Sequence, residues 1–168
     1  AGRAASVSHR ARRLQLIRVW CISKEHNAAI DGEGARLSGG RWNHAGTAVV
    51  YTSSTLALAA LELFVHLDPS EAPDDLVAIP ADIPASLQIT RIRRAQLPTN
   101  WRRYPAPEAL ADLGTRWVRG RKTAVLAVPS AVIPSDLNYL LNPLHPAFKQ
   151  IRIGEKTPFQ FDPRMFKR

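Results

Sequence analysis

Cysteine is nearly absent from this 168-residue chain, and methionine occurs once. The lone thiol, Cys21, excludes an intrachain disulfide and any cysteine-based zinc cluster. It fits a reducing cytosol, and its place beside apolar strand residues reads as buried rather than reactive. The 5 histidines show no metal-ligand spacing, so no metal is expected. No apolar run approaches the roughly 20 residues needed to cross a bilayer, so no membrane partner is expected. The opening residues, AGRAASVSHRARR, lack the apolar centre of a secretory signal. They read as a basic flexible tail, residues 1–13, ahead of a single domain at 14–168.

Acidic residues are also scarce, 14 against 23 Lys and Arg, for a net charge of +9. The charge is uneven. Residues 91–122 hold nine basic side chains against Glu108 and Asp112, while residues 62–82 hold six acids and no Lys or Arg. Arginine dominates, 18 to 5 over lysine, which suits bidentate contacts to phosphate or carboxylate. The chain is therefore built for an anionic partner: nucleic acid, a phosphorylated small molecule or an acidic protein. In the runs RIRR (91–94), WRR (101–103) and RWVRGRK (116–122), arginine alternates with tryptophan. That interleaving admits a nucleic-acid-binding module working through phosphate contacts and stacking, or a merely solvated face.

Strand patterns occupy 14–22, 47–52, 76–83, 123–130, 148–153 and 157–161, with the fourth of these continuously apolar and expected to be central. Helical patterns occupy 53–67, capped by Ser53 or Ser54, and 107–122. Strands outnumber helices and do not alternate with them, which predicts an α+β domain with a mixed, mostly antiparallel, twisted sheet. Residues 23–46 remain as a long loop, and five of the 9 glycines fall within its stretch GEGARLSGGRWNHAG. Loops of this length in a small domain are usually functional. The Walker pattern fails there, because Gly40 and Arg41 stand where Lys and Ser or Thr are required. The dinucleotide pattern fails at Leu37. Either an anion nest of backbone N–H groups with arginines beside it or a structural turn accounts for the glycines.

Glu62 sits in the helix SSTLALAALELFVHL with apolar neighbours on every face, which predicts a buried helix. An ionised carboxylate there needs an arginine partner or a polar cleft in which to do chemistry. Tyr51, at the end of the preceding strand, reads as a core or edge residue. Ser130, at the end of a strand, suits a ligand contact or a turn. Asn142 and His145 in NYLLNPLHP read as turn formers.

In combination these features resemble the RES-domain family, the toxins of Xre–RES toxin–antitoxin pairs. The resemblance rests on Arg18 in the first strand, GEGARLSGGRWNHAG, AVVYTS, LALAALELFVH, AVPSAVIP and NYLLNPLHP, and it spans about residues 14–161. It implies a fold of the diphtheria-toxin ADP-ribosyltransferase type and NAD as substrate, cleaved at the nicotinamide–ribose bond by hydrolysis, phosphorolysis or ADP-ribosyl transfer. Carried over by motif, Glu62, Arg41 and Tyr51 become the catalytic set. Arg18, Arg36, Gly39, Gly40, Trp42, Asn43, Ser53, Ser130 and Asn142 become the substrate-binding set, with the N–H groups of Gly39 and Gly40 assisting Arg41 at the diphosphate. The resemblance also implies a cytoplasmic toxin, a small helix-turn-helix antitoxin as partner, a possible toxin dimer within a larger hetero-oligomer, and no direct contact with nucleic acid outside that complex.

Overall fold

A computed structural model describes residues 15–68 and 73–166; the basic tail at 1–13 lies outside them. Eight strands form one sheet: β1 (Leu16–Lys24), β2 (Val50–Ser53), β3 (Leu76–Pro84), β4 (Ile89–Arg91), β5 (Val125–Pro129), β6 (Leu137–Leu141), β7 (Arg152–Ile153) and β8 (Thr157–Phe159). Their order is β4-β5-β6-β2-β1-β3-β7, with β8 also on β3. Every pairing is antiparallel except β4 with β5. The helices are α1 (Glu33–Ser38), α2 (Leu56–Phe64) and α3 (Glu108–Gly120). This is the α+β architecture expected from the strand and helix patterns.

Side-chain alternation assigns the two faces of the sheet. Val50, Leu141 and Val125 lie in one cross-strand row and belong to a core with Val19, Ala81 and Ile83, closed over by Phe148. On the opposite face Tyr51, Leu140 and Leu126 form the neighbouring row. There α3 lays Leu110 and Val118 into a second core with Trp42, Trp101 and Val128. On the same sheet α2 packs against β1 and β2. Its last residue, Phe64, meets the rings of Phe161 and Phe166 at 5.7 and 5.4 Å, so the C-terminal segment holds that helix from outside.

Several expectations need correction. The 23–46 loop contains α1 and a short 3-10 turn at Glu25–Asn27. The cap of α2 is Thr55, whose side chain accepts from Leu58 N at 3.0 Å, because Ser53 is still in the strand. Only Leu58 and Ala59 of α2 are buried, since one side of that helix borders an open cavity. Residues 146–150 form a 3-10 turn rather than a strand: Pro146 starts it and His145 Nδ1 accepts from Ala147 N. Strand β5 is second from the edge, not central, although fully buried. Strand β6 fell within a stretch whose asparagines and prolines suggested only turns. Pairing on both edges, with β2 and β5, makes it a strand.

Candidate active site

Between α2, the glycine loop and residues 102–106 lies a cavity of about 1660 Å³. It exceeds the roughly 300–1,000 Å³ of a cleft for a drug-sized ligand. Strand register builds its floor. Trp20, Ser53 and Asn138 occupy one cross-strand row over β1, β2 and β6, on the face that also carries Tyr51, and all four line the cavity. The chain turns from β2 directly into α2, which places Glu62 above that row.

Glu62 is held through one of its two oxygens. Oε1 accepts from Ser130 Oγ at 2.6 Å and from Asn138 Nδ2 at 2.5 Å. Asn138 is oriented in turn by Ser53 Oγ, which donates to its Oδ1 at 2.7 Å. Ser130 is fully buried, and its oxygen also accepts from the N–H groups of Val132 and Ile133. Oε2 accepts no hydrogen bond among the described residues. Two neutral donors thus fix the carboxylate without neutralising it. The arginine ion pair allowed for by the sequence is absent among the described residues.

The glycine loop serves to place Arg41 and Tyr51. Asn43 is buried and saturated: Nδ2 donates to the carbonyls of Ala35, His44 and Thr47, and Oδ1 accepts from Tyr51 Oη at 2.7 Å. Tyr51 Oη also accepts from Trp42 N at 3.0 Å. A Cβ on Gly40 would stand 2.7 Å from that hydroxyl, so the close approach needs glycine. Burial pushes the Tyr51 phenol well above its ordinary pKa, against the opposing pull of Trp42 N–H and Arg41, so the hydroxyl stays protonated. Arg41 donates from Nη1 to the carbonyls of Trp101 at 2.7 Å and Arg103 at 3.2 Å. Burial draws its pKa down, opposed by the negative charge of Glu62 and then by Tyr51. The guanidinium remains charged and within the electrostatic reach of Glu62. Cys21 also borders the cavity, but burial pushes its thiol up to about 11, so it stays protonated.

The structure thus brings together Glu62, Arg41, Tyr51 and Ser53, with Gly39, Gly40 and Trp42 in the cavity wall. It gives other tasks to the remaining residues. Arg18 is bidentate to Asp82 at 2.8 and 2.9 Å on the paired strand β3. Arg36 is bidentate to Glu33, three residues earlier on α1. Neither borders the cavity. Gly39 N donates to Ala35 O and Gly40 N to Asn43 O, so neither serves an anion nest. The Trp42 side chain is core, and Asn43 is the internal knot of its loop. Ser130 stands behind Glu62 instead of facing the cavity. Asn142 lies at the other end of β6, bonded to Val118 O and Leu144 N. Sequence reasoning missed Asn138 and Arg102, which both line the cavity. Asn138 opens the NYLLNPLHP motif, but its partnership with Ser53 exists only once β6 pairs with β2.

Residues 15–162 match the family described as RES domain. The chain belongs to the RES domain family. This RES domain is 36% identical over 143 residues to a protein of Sphingobium sp. (strain YBL2) named Prs ADP-ribosylating toxin, covering 83% of this chain and 88% of that one. It is 38% identical over 135 residues to a Yersinia enterocolitica protein named Toxin Res, covering 80% and 88%. Among solved structures, its fold matches a chain in the M. tuberculosis MbcT–MbcA toxin–antitoxin complex with a TM-score of 0.68, over 90% of this chain and 87% of that one. At 15% identity that likeness concerns the fold. No helix among the described residues is long and apolar enough to cross a membrane.

Proposed function

We propose that this RES domain is the toxin of a toxin–antitoxin pair and cleaves the nicotinamide–ribose bond of NAD in the cytoplasm. The observation that carries this reading is Glu62, fixed through Oε1 by Ser130 and Asn138 with Oε2 left for substrate, in a cavity shared with Arg41 and Tyr51. The ADP-ribosylating relative and the proteins named Toxin Res support it.

When the bond from C1′ to the pyridine nitrogen breaks, its electron pair goes to that nitrogen. Nicotinamide then leaves as a neutral molecule, so no general acid is required. Positive charge grows on the ribose as an oxocarbenium-like cation, as in glycoside hydrolysis. The Glu62 carboxylate, held in place before the reaction, stabilises that charge and accepts from a ribose hydroxyl through Oε2. Arg41 supplies positive charge for the diphosphate, and the Tyr51 ring packs against nicotinamide. An acceptor oxygen then adds to C1′ and releases its proton. The name of the ADP-ribosylating relative favours transfer of ADP-ribose to an acceptor. A phosphate titration of turnover and mass analysis of candidate acceptors separate transfer from phosphorolysis and hydrolysis.

The antitoxin, an Xre-type helix-turn-helix protein, would seat on the cavity mouth. Leu37, Val65 and Tyr104 stand 67%, 55% and 78% exposed there, an apolar rim of the kind that marks interfaces.

The test is nicotinamide release from NAD by the purified chain. Wild type should release it, and Glu62→Gln should reduce the rate by about 100-fold or more, the scale of losing one charge-stabilising group. A folded Glu62→Gln variant at full rate removes the mechanism. No release by wild type, together with salt-dependent RNA or DNA binding, favours the nucleic-acid module instead.

A further inference from the structure

Arg102 belongs by sequence to the basic stretch 91–122, but the fold separates it from that stretch. Arg91, Arg93 and Arg94 border a different, smaller groove beside β5 and β6, and Arg116 and Arg119 lie on the exposed side of α3. Arg102 borders the cavity that holds Glu62 and Arg41.

Its position is built. Trp101, immediately before it, is buried in the second core and anchors the loop. Arg41 Nη1 gathers the carbonyls on either side of it, those of Trp101 and Arg103. One edge of the Arg102 guanidinium is engaged, with Nε donating to Ala131 O at 3.0 Å. No carboxylate among the described residues forms a salt bridge with it. The loop carrying Arg102 is therefore fastened by Arg41 itself, and the two guanidinium groups serve one cavity from adjoining segments. Paired arginines with donor edges to spare match a ligand carrying two adjacent anionic groups, since each fork takes two phosphate oxygens.

We propose that Arg102 and Arg41 together form a diphosphate-binding site, with Arg102 the second arm and a substrate-binding residue in its own right. The ligand class is a nucleoside diphosphate ester. The proposal rests on the NAD reading above for its natural ligand, but its test does not require turnover.

ADP-ribose binding by calorimetry and nicotinamide release are measured together on wild type, Arg102→Ala, Arg102→Lys and Arg119→Ala, with thermal unfolding as the fold control. Arg102→Ala should weaken ADP-ribose about tenfold or more, the scale of one charge-assisted contact. It should raise KM for NAD by a similar factor, leave kcat within about twofold and leave inhibition by nicotinamide unchanged. Arg102→Lys should recover part of the affinity, and Arg119→Ala should match wild type. A fall in kcat with ADP-ribose affinity intact would make Arg102 only a brace for Ala131, next to Ser130, and overturns the proposal. So does an equal loss in Arg119→Ala, which would mean general surface charge. If wild type binds ADP-ribose through Arg102 yet releases no nicotinamide, the site stands and the enzymatic reading falls. If wild type binds no ADP-ribose, the site falls.

Discussion

The two faces of the sheet share the same strands and have opposite contents. On one, Val19, Val50, Ile83, Val125 and Leu141 close into a continuous apolar layer. On the other, α3 covers β5 and β6 with apolar contacts, while the row over β1, β2 and β6 carries Trp20, Ser53 and Asn138 beneath Glu62. Residues one position apart on the same strand thus enter the closed core or the cavity wall, because alternation sends them to different environments. Burying the polar row is tolerable because its groups are paired: Ser53 to Asn138, then Asn138 and Ser130 to Glu62. Among the described residues no buried side-chain nitrogen or oxygen lacks a partner.

The sharpest way to break this contrast is to cut each face once. Ile83→Ala on the closed face should cost about 2–5 kcal/mol, the usual range for emptying a buried aliphatic site. Nicotinamide release per folded molecule should stay close to wild type. Asn138→Leu on the polar row should do the reverse, lowering kcat severalfold or more with a smaller change in unfolding free energy. Urea unfolding and turnover measured on both variants decide it; equal losses of kcat would mean that the faces are not separable.

A smaller effect tests the ion pair with Asp82 that engages Arg18, a residue the family resemblance put in the substrate-binding set. Arg18 holds the Asp82 carboxyl below its ordinary range, chiefly by hydrogen bonding and then by charge. A depressed carboxylate stabilises the fold above its unfolded pKa of roughly 3.9 and loses that contribution as pH falls through the lower folded value. Because Arg18 is largely exposed, Arg18→Ala should lower stability only slightly at neutral pH. The difference from wild type should begin to shrink near pH 4 and vanish in stronger acid. KM for NAD should not change; an increase would return Arg18 to the site. The smallest effect is a gain. Arg121 closes α3 at φ 46°, left-handed backbone that favours glycine. Arg121→Gly should raise stability by less than about 1 kcal/mol without altering turnover, and a lower melting temperature would mean that the arginine side chain contributes more than its backbone strain costs.

Much of the fold was legible because periodicity and punctuation are local. Strands β1, β3 and β5 and helices α2 and α3 lie within a few residues of their patterns. Strand β6 was not, because asparagine and proline around LNYLL suggest turns and only its neighbours on both edges make it a strand. The same divide runs through the site. Glu62 was visible as an acid among apolar residues, and Arg41 and Tyr51 through their motifs. Asn138, in NYLLNPLHP, and Arg102, in WRR, could not be assigned to the cavity, because each acquires its place from contacts more than 25 residues away in the chain. The glycine loop admitted either an anion nest or a structural turn; Gly39 and Gly40 bond within the loop and Asn43 ties it to Tyr51, as a turn requires.

The sequence by itself determined the class of fold, the excess of positive charge and the solitary carboxylate, because hydropathy period, net charge and an acid in an apolar helix are properties of neighbours in the chain. Tertiary structure decided which arginines border the cavity and which oxygen of Glu62 accepts no hydrogen bond among the described residues. Those outcomes depend on strand register and loop docking, which bring together groups far apart in the chain, and no local pattern records them.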